Sequence, residues 1–460
     1  GALWHLSVDA VNRMIIAKAG GIAPLVQLLD DGTLQAHIHV AVALGRLAMN
    51  NPDNQAQIAK KLVGLVGLKN RPGAQQRAAH TLWELAQNNP GAPVIIVNAG
   101  AISPLVTLLS TGVSEAKKEA AGALSTLAFN NPSNQLAIAT GLVALLGTGN
   151  AEAQEHVTML MLSLMVDPDN RLAIAKAGAV KRLVKQLKQM ISLKAEELAA
   201  AALSYLTGDF TDASDDNIRD IKAEGGIEPL VELLKSESAE AQAHAAAVLS
   251  DITRIFRRDV ASGSAIELLV EQITNDSSSD IKAEAAGALW SISGGLHETQ
   301  SAIAKQGAIQ PLVTLLGDAD MRTRRKAAGA LTSLAIGNHA NQDAISQAKG
   351  IPPLVDLLSS QYKSSVQMFA AGCLAELARN HPKNQAAIAK AGCIAPLVDL
   401  LKADDPPESA AEEAVAEEAG GASAKEEAAG AMWTLSASNT MNQNAIAQAG
   451  GIAPLVMLLD

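Results

Sequence analysis

The sequence predicts an all-α solenoid, a stack of about eleven copies of one helical unit of roughly 42 residues. Two observations predict it. The phrase Gly21-Ile22-Ala23-Pro24-Leu25-Val26-Gln27-Leu28-Leu29 returns near Gly100, Gly226, Gly307, Gly350, Gly392 and Gly451, with weaker copies near Leu62, Leu142, Leu183 and Leu269. Aromatic residues make up 2% of the chain while hydrophobic residues make up 48%. The apolar content is therefore Ala, Leu, Ile and Val, which suits helices packed at close range.

A single compact core rarely grows beyond roughly 250–300 residues, and this chain has 460. A repeat array avoids that limit because each unit packs only on its neighbours. Residues 1–460 are accordingly expected to form one solenoid, entered and left in mid-repeat, so that both ends read as fragment ends.

Three landmarks recur in each unit, and each reads as one helix. The first is Asn-Pro-x-Asn-Gln with an apolar tail, in Asn51 to Ala59, Asn131 to Ala139 and, with His-Pro, His381 to Ala389. An Asx cap opens this short helix and an Ala-Gly-Gly step offers a left-handed end. The second helix follows with Pro24 in its first turn, where a missing N–H costs nothing, and Leu25, Leu28 and Leu29 at core spacing. The third carries Ala120, Ala123, Leu124, Leu127 and Ala128, an apolar stripe of helical period.

Three places break the pattern. At Lys60-Lys61-Leu62 and Thr140-Gly141-Leu142 the Gly-Pro joint is lost, so the first helix is expected to run nearly into the second, with altered curvature. Gly208 to Asp216 lengthens one connection with Asp209, Asp212, Asp215 and Asp216, and reads as a solvated acidic loop because it lacks a calcium loop's spacing. Residues 402–424 read as an inserted acidic loop with paired Pro and paired Gly, a candidate arm for a basic partner.

The phrases Gly-Ile-x-Pro-Leu-Val-x-Leu-Leu and Ala-Ala-Gly-Ala-Leu-x-x-Leu resemble the armadillo-repeat family across essentially the whole chain, most closely its β-catenin-like and vacuolar branch. That resemblance implies a right-handed superhelix whose third helices line a concave groove. It also implies a protein-binding scaffold.

In the third helix Leu124 and Leu127 face the core, which leaves Gly122, Ser125, Thr126 and Phe129 on the groove stripe. The position of Thr126 is held in other repeats by His5, Arg46, Glu84, Tyr205, Asp251, Ser291, Ser333, Glu376 and Thr434. Family members that bind extended peptides commonly place Asn there, with Trp four residues earlier; here no repeat keeps the Asn, and the earlier position is Gly in Ala-Ala-Gly-Ala. The tryptophans Trp4, Trp83, Trp290 and Trp433 instead sit one residue before it. The candidate partner-binding set is Arg46, Trp83, Glu84, Thr126, Tyr205, Asp251, Trp290, Ser291, Ser333, Glu376, Trp433 and Thr434. The tryptophans read equally as partner anchors or as packing between adjacent third helices.

A formal charge of −11 argues against sequence-independent binding to nucleic-acid phosphates and favours a protein partner with basic and apolar anchors. No uninterrupted apolar stretch is long enough to span a membrane. The two cysteines, Cys373 and Cys393, replace small repeat residues and read as reduced packing groups, which places the chain inside the cell, in cytoplasm or nucleus. His37 and His39 are two apart and cannot share a metal from one helix face. Gly147-Thr148-Gly149-Asn150 lacks the Lys-Ser/Thr of a phosphate loop. No catalytic, metal or cofactor site is expected. The readings that follow are a scaffold or adaptor, importin-like capture of basic peptides, the recognition part of a larger assembly such as a ubiquitin ligase, or a purely architectural element.

Overall fold

The computed structural model describes residues 1–68, 70–129, 131–146, 151–208, 211–261, 264–275, 277–403 and 423–458, and every regular element among them is a helix. The chain forms two compact units, Gly1–Gly226 and Ile227–Asp460, each a stack of helical repeats, in keeping with the expected all-α class.

One repeat shows how the sequence sets the helices. Asn338 caps the first helix, His339–Gln347, by accepting the Asn341 N–H. That helix ends at Lys349, held at φ 62°, a left-handed conformation that equivalent ends give to Gly20, Gly100, Gly307 and Gly392, because only Gly enters it without strain. The second helix, Ile351–Asp356, carries Pro352 and Pro353 in its first turn. The third, Ser364–Ala378, buries Val366, Ala370, Ala371, Leu374, Leu377 and Ala378. Fully burying one such Leu contributes about 1.5–3 kcal/mol.

Successive third helices lie against each other in both units. In the first, Leu34–Ala48, Pro72–Asn88, Ser114–Ala128, Ala151–Leu164 and Leu193–Thr207 follow in order. In the second, Ala239–Val260, Ser279–Ser293, Met321–Ala335, Ser364–Ala378 and Ala424–Ser436 do the same. The Ala-rich stripe makes this possible, since Ala120, Ala123, Ala285, Ala288, Ala327 and Ala370 are wholly buried and keep no long side chain between the backbones.

The Asn-Gln pair of the first helix does more than begin it. Asn54, Asn134, Asn341, Asn384 and Asn442 donate to the carbonyls of Leu47, Leu127, Leu334, Leu377 and Leu435, at 2.8 to 3.0 Å. The last four carbonyls of a helix have no partner inside it, so each Asn closes the third helix that precedes it. In the second unit the adjacent Gln reaches forward. Gln300 donates to Ser333 O at 2.8 Å, Gln342 to Glu376 O at 2.9 Å and Gln385 to Thr434 O at 2.9 Å. Two consecutive residues thus tie three helices together.

At the two altered junctions the first and second helices fuse outright, as Pro52–Val66 and Pro132–Leu145. Neither joint carries a Pro, and Gly141 at the second is not held at positive φ, so nothing interrupts the backbone ladder. The acidic segment is corrected by the structure. Asp212–Ala223 is a helix, opened by a reciprocal capping box between Thr211 and Ser214, so Asp212 and Asp215 sit in its first turn. Carboxylates there meet the positive end of the helix dipole, and Asp216 pairs with Arg219 at 2.7 Å. Asp209 and Phe210 lie outside the described residues, as do Gly147–Asn150 and residues 404–422 of the acidic insertion.

Cys373 and Cys393 are buried free thiols, and burial pushes both up to about 12. Neither is a thiolate near neutral pH. Among the described residues no single helix is long and apolar enough to cross a membrane.

Replacing Asn384 with Ala strips the partner from Leu377 O, and a buried unpaired carbonyl costs about 1–3 kcal/mol. The urea midpoint should fall accordingly. Lys383→Ala, at the exposed neighbouring position, should leave it within about 0.5 kcal/mol of wild type.

Candidate functional site

The third helices expose one stripe, and the residues expected to line it divide into three groups. Arg46, Glu84, Thr126, Tyr205, Asp251, Ser291 and Glu376 reach the surface at least in part. Ser333 and Thr434 do not: they are 5% and 4% exposed. Their carbonyls accept from Gln300 and Gln385 of the preceding first helices, and their burial removes both from the candidate surface. The tryptophans behave as a third group.

Trp83 lies against Gly122 of the next third helix, so that a Cβ added to Gly122 would stand 2.9 Å from the indole. Trp290 does the same at Gly329, again at 2.9 Å, and meets Phe369 edge-on with 4.9 Å between centroids. Of the two roles open to these rings, packing between third helices accounts for Trp83 and Trp290. Trp433 is 66% exposed, with the Arg379 guanidinium 5.6 Å from its centroid. The glycine of Ala-Ala-Gly-Ala is thus a berth for a neighbour's side chain. Lys326 fills the berth at Gly287 and Glu427 the one at Gly372, while at Gly430 a Cβ would meet nothing within 4 Å.

Several candidates are held by neighbours. Arg46 donates to Trp4 O at 3.1 Å and stacks over the Trp4 ring, which His39 flanks at 5.2 Å. Glu84 stands 3.6 Å from His80, whose other ring nitrogen is 2.9 Å from Glu119. Thr126 donates to Gly122 O at 3.0 Å, and Ser291 shares a 2.8 Å hydroxyl bond with Ser250. Glu376 takes a forked pair of bonds from Arg379, the shortest 2.7 Å. Beside it, burial holds the Glu427 carboxyl above the usual glutamate range, and the neighbouring Glu376 and Glu426 push it the same way.

The structure adds residues that the ladder alone does not point to. In the first unit Val42 and Met159 are exposed on their third helices and Met49 and Val166 just past the ends of theirs, joining Phe129 of the expected stripe, each either four residues before or three after the position equivalent to Thr126. They were legible as the remaining members of the same helical stripe. A cleft of about 400 Å³ joins several of them to the ladder, lined by Val42, Gly45, Arg46, Met49, Glu84 and Asn88 over a floor of Leu44, Ile58 and Leu85. A larger opening in the second unit, about 590 Å³, lies off this stripe, between Tyr362, Lys363, Gln367, Pro396 and Lys425.

Four segments match the Armadillo/beta-catenin-like repeat, residues 89–129, 214–254, 297–336 and 338–379. The match over 297–336 encloses the helices His297–Lys305, Ile309–Leu315 and Met321–Ala335, so the family's unit and the observed three-helix unit share one frame. Importin subunit alpha-1b of Oryza sativa subsp. japonica is 28% identical over 275 residues, 57% of this chain and 50% of that one. The chain spans about half the length of that curated relative. The crystal structure of an engineered protein is 31% identical and aligns with a TM-score of 0.66, covering 90% of this chain and 98% of the other. A designed armadillo repeat protein aligns over 56% of this chain and 99% of its own at 24% identity, with a TM-score of 0.47.

The berths predict opposite outcomes for one substitution at equivalent positions. Gly329→Ala drives a methyl into the Trp290 ring and should cost about 1–3 kcal/mol, relieved when Trp290→Ala is added. Gly430→Ala meets open space and should stabilise by about 0.5–1 kcal/mol through helix propensity. Urea unfolding of the single and double variants measures both.

The Glu427 carboxyl gives a second expectation. A carboxyl whose folded value lies above its unfolded one destabilises the fold once charged, and that loss grows as pH rises through the interval above 4.5. Glu427→Gln should therefore raise the melting temperature at pH 7 and leave it unchanged at pH 4. A gain at pH 4 alone would refute the burial argument.

Proposed function

We propose that this chain, an armadillo-repeat protein, works as a scaffold that holds an extended or helical segment of a partner protein along the exposed stripe of its third helices. One observation carries the reading. Large apolar side chains stand exposed at equivalent positions of three repeats of the first unit, Val42 and Met49 in one, Phe129 in another, Met159 and Val166 in a third, with Phe129 75% and Val166 70% exposed. A set of large apolar groups left in water on neighbouring helices marks an interaction surface.

Charge supports a basic partner. The formal net charge is −11, and Glu84, Glu376 and Glu427 stand on or beside the stripe. Such a field speeds encounter with Lys- or Arg-bearing segments and disfavours acidic ones. At the bared indole of Trp433, where Arg379 already stacks, a partner cation would find an aromatic face with acids close by. The contact is of the helix-face kind, in which apolar anchors supply affinity and charges supply choice.

The relationship to importin subunit alpha-1b favours a second reading, capture of basic peptides as the family resemblance implies. Two features weigh against it. No ladder position carries Asn, and the position four earlier is, in several repeats, a glycine occupied by a neighbour's side chain. A role within a larger assembly, as architecture or as the recognition part of an enzyme, uses the same surface.

Phe129→Ser combined with Val166→Ser removes two exposed anchors without touching the core. Helix content should be unchanged, while recovery of partners cross-linked to the chain in cell extract should fall tenfold or more, equivalent to about 1.4 kcal/mol. Undiminished recovery would reject this face. A fluorescent Lys/Arg-rich peptide decides the second reading: binding on the order of 1 μM establishes it, and its absence leaves the scaffold alone.

A further inference from the structure

We propose that the cleft beside Gly45 is a receptor for a single tryptophan side chain of the partner, flanked in the partner's sequence by Lys or Arg; the inference rests on the scaffold reading and deepens it. Gly45 occupies the register that holds Trp83, Trp290 and Trp433 in other repeats, one residue before the ladder position. Where an indole is present, as at Trp83, it fills the space against the next third helix. At Gly45 that space is open. A Cβ there would meet nothing within 4 Å, and a cleft of about 400 Å³ lies in front of it. That volume is within the roughly 300–1,000 Å³ range of small-ligand sites.

The lining fits an aromatic ring with a polar edge. Leu44, Ile58 and Leu85 form an apolar floor, buried in the repeat core. Val42 and Met49 stand exposed at the mouth, and a thioether packs favourably on an aromatic ring. Glu84 supplies an acceptor on the opposite wall, its side chain 45% exposed and its carboxylate 3.6 Å from His80. An indole N–H can donate to it, whereas Leu or Phe of similar bulk cannot. Arg46 lines the same cleft, but its guanidinium bonds Trp4 rather than pairing with the Glu84 carboxylate. The formal net charge of −11 favours a cation beside the incoming ring.

An indole brings large contact area at little rotamer cost and dominates interfaces for that reason. Here it takes the place that this chain fills elsewhere with its own tryptophan. The site is therefore specified by an omission in the repeat pattern.

The test uses the full chain with 13C-methyl-labelled methionine and N-acetyl-L-tryptophanamide as the probe, with N-acetyl-L-leucinamide as control. The Met49 methyl resonance should shift saturably with the tryptophan probe, with a dissociation constant on the order of 1 mM or tighter, and at least tenfold more weakly with the leucine one. Gly45→Trp should abolish the shift while melting temperature holds or rises. Glu84→Gln should weaken the probe several-fold at unchanged helix content, which decides the matter if Gly45→Trp fails to fold. A silent Met49, equal binding of both probes, or wild-type binding by Glu84→Gln overturns the proposal. If these occur while the Phe129/Val166 variant still loses its partners, the tryptophan receptor fails and the scaffold reading survives.

Discussion

Everything in each unit depends on how closely one third helix can approach the next. Ala at the wholly buried positions and Gly at the berths keep the backbones near enough that a long side chain cannot stand between them. Close packing at interior density then leaves no slack, so each side chain that does enter the contact must have a recess prepared for it. Trp83 has Gly122, Trp290 has Gly329, Lys326 has Gly287 and Glu427 has Gly372. The small residues thus set both the stacking distance and the identity of what remains on the surface.

The second tie is polar. A helix end buried against a neighbour would strand its carbonyls, and here the second Asn of Asn-x-x-Asn-Gln takes them from behind while the Gln reaches ahead. Because Gln342 bonds Ala335 O as well as Glu376 O, one amide bridges two successive third helices. Stability in such an array is a sum of unit and interface contributions, and these amides belong to the interface part.

The repeat, its three helices and their caps were legible from spacing alone, since Asn, Pro, Gly and the apolar stripe each act locally. The fused helices Pro52–Val66 and Pro132–Leu145 follow from the same local rules, because removing the Gly-Pro joint removes the only interruption. What local rules could not give is the far partner of a side chain. Thr211 and Ser214 cap each other, so the acids after Gly208 became a helix start; the pairing is visible in Thr-x-x-Ser, but the count of aspartates overshadowed it. Spacing sets Trp290 one residue before the ladder position, yet only the position of the next helix shows its ring lying over Gly329 with Phe369 at its edge. Solvent exposure of a repeat position is thus decided between repeats, while its conformation is decided within one.

That division makes the residue before the ladder position the variable that shapes the face. A tryptophan there covers its neighbour's berth and smooths the stripe, as Trp83 does, while Ser250 replaces the ring with a hydroxyl bond to Ser291. Ala375 contributes almost no surface, and Trp433 stands open with Arg379 over its ring. Gly45 contributes nothing and leaves a hollow with an apolar floor and a carboxylate on its wall. Since the surrounding helices are fixed by buried Ala, Leu and the Asn-Gln ties, exchanging this one residue alters the relief of the surface without disturbing the stack. A repeat protein can in this way vary the relief of its surface through one residue per repeat, and a glycine at that place leaves a hollow where a tryptophan would lay a ring.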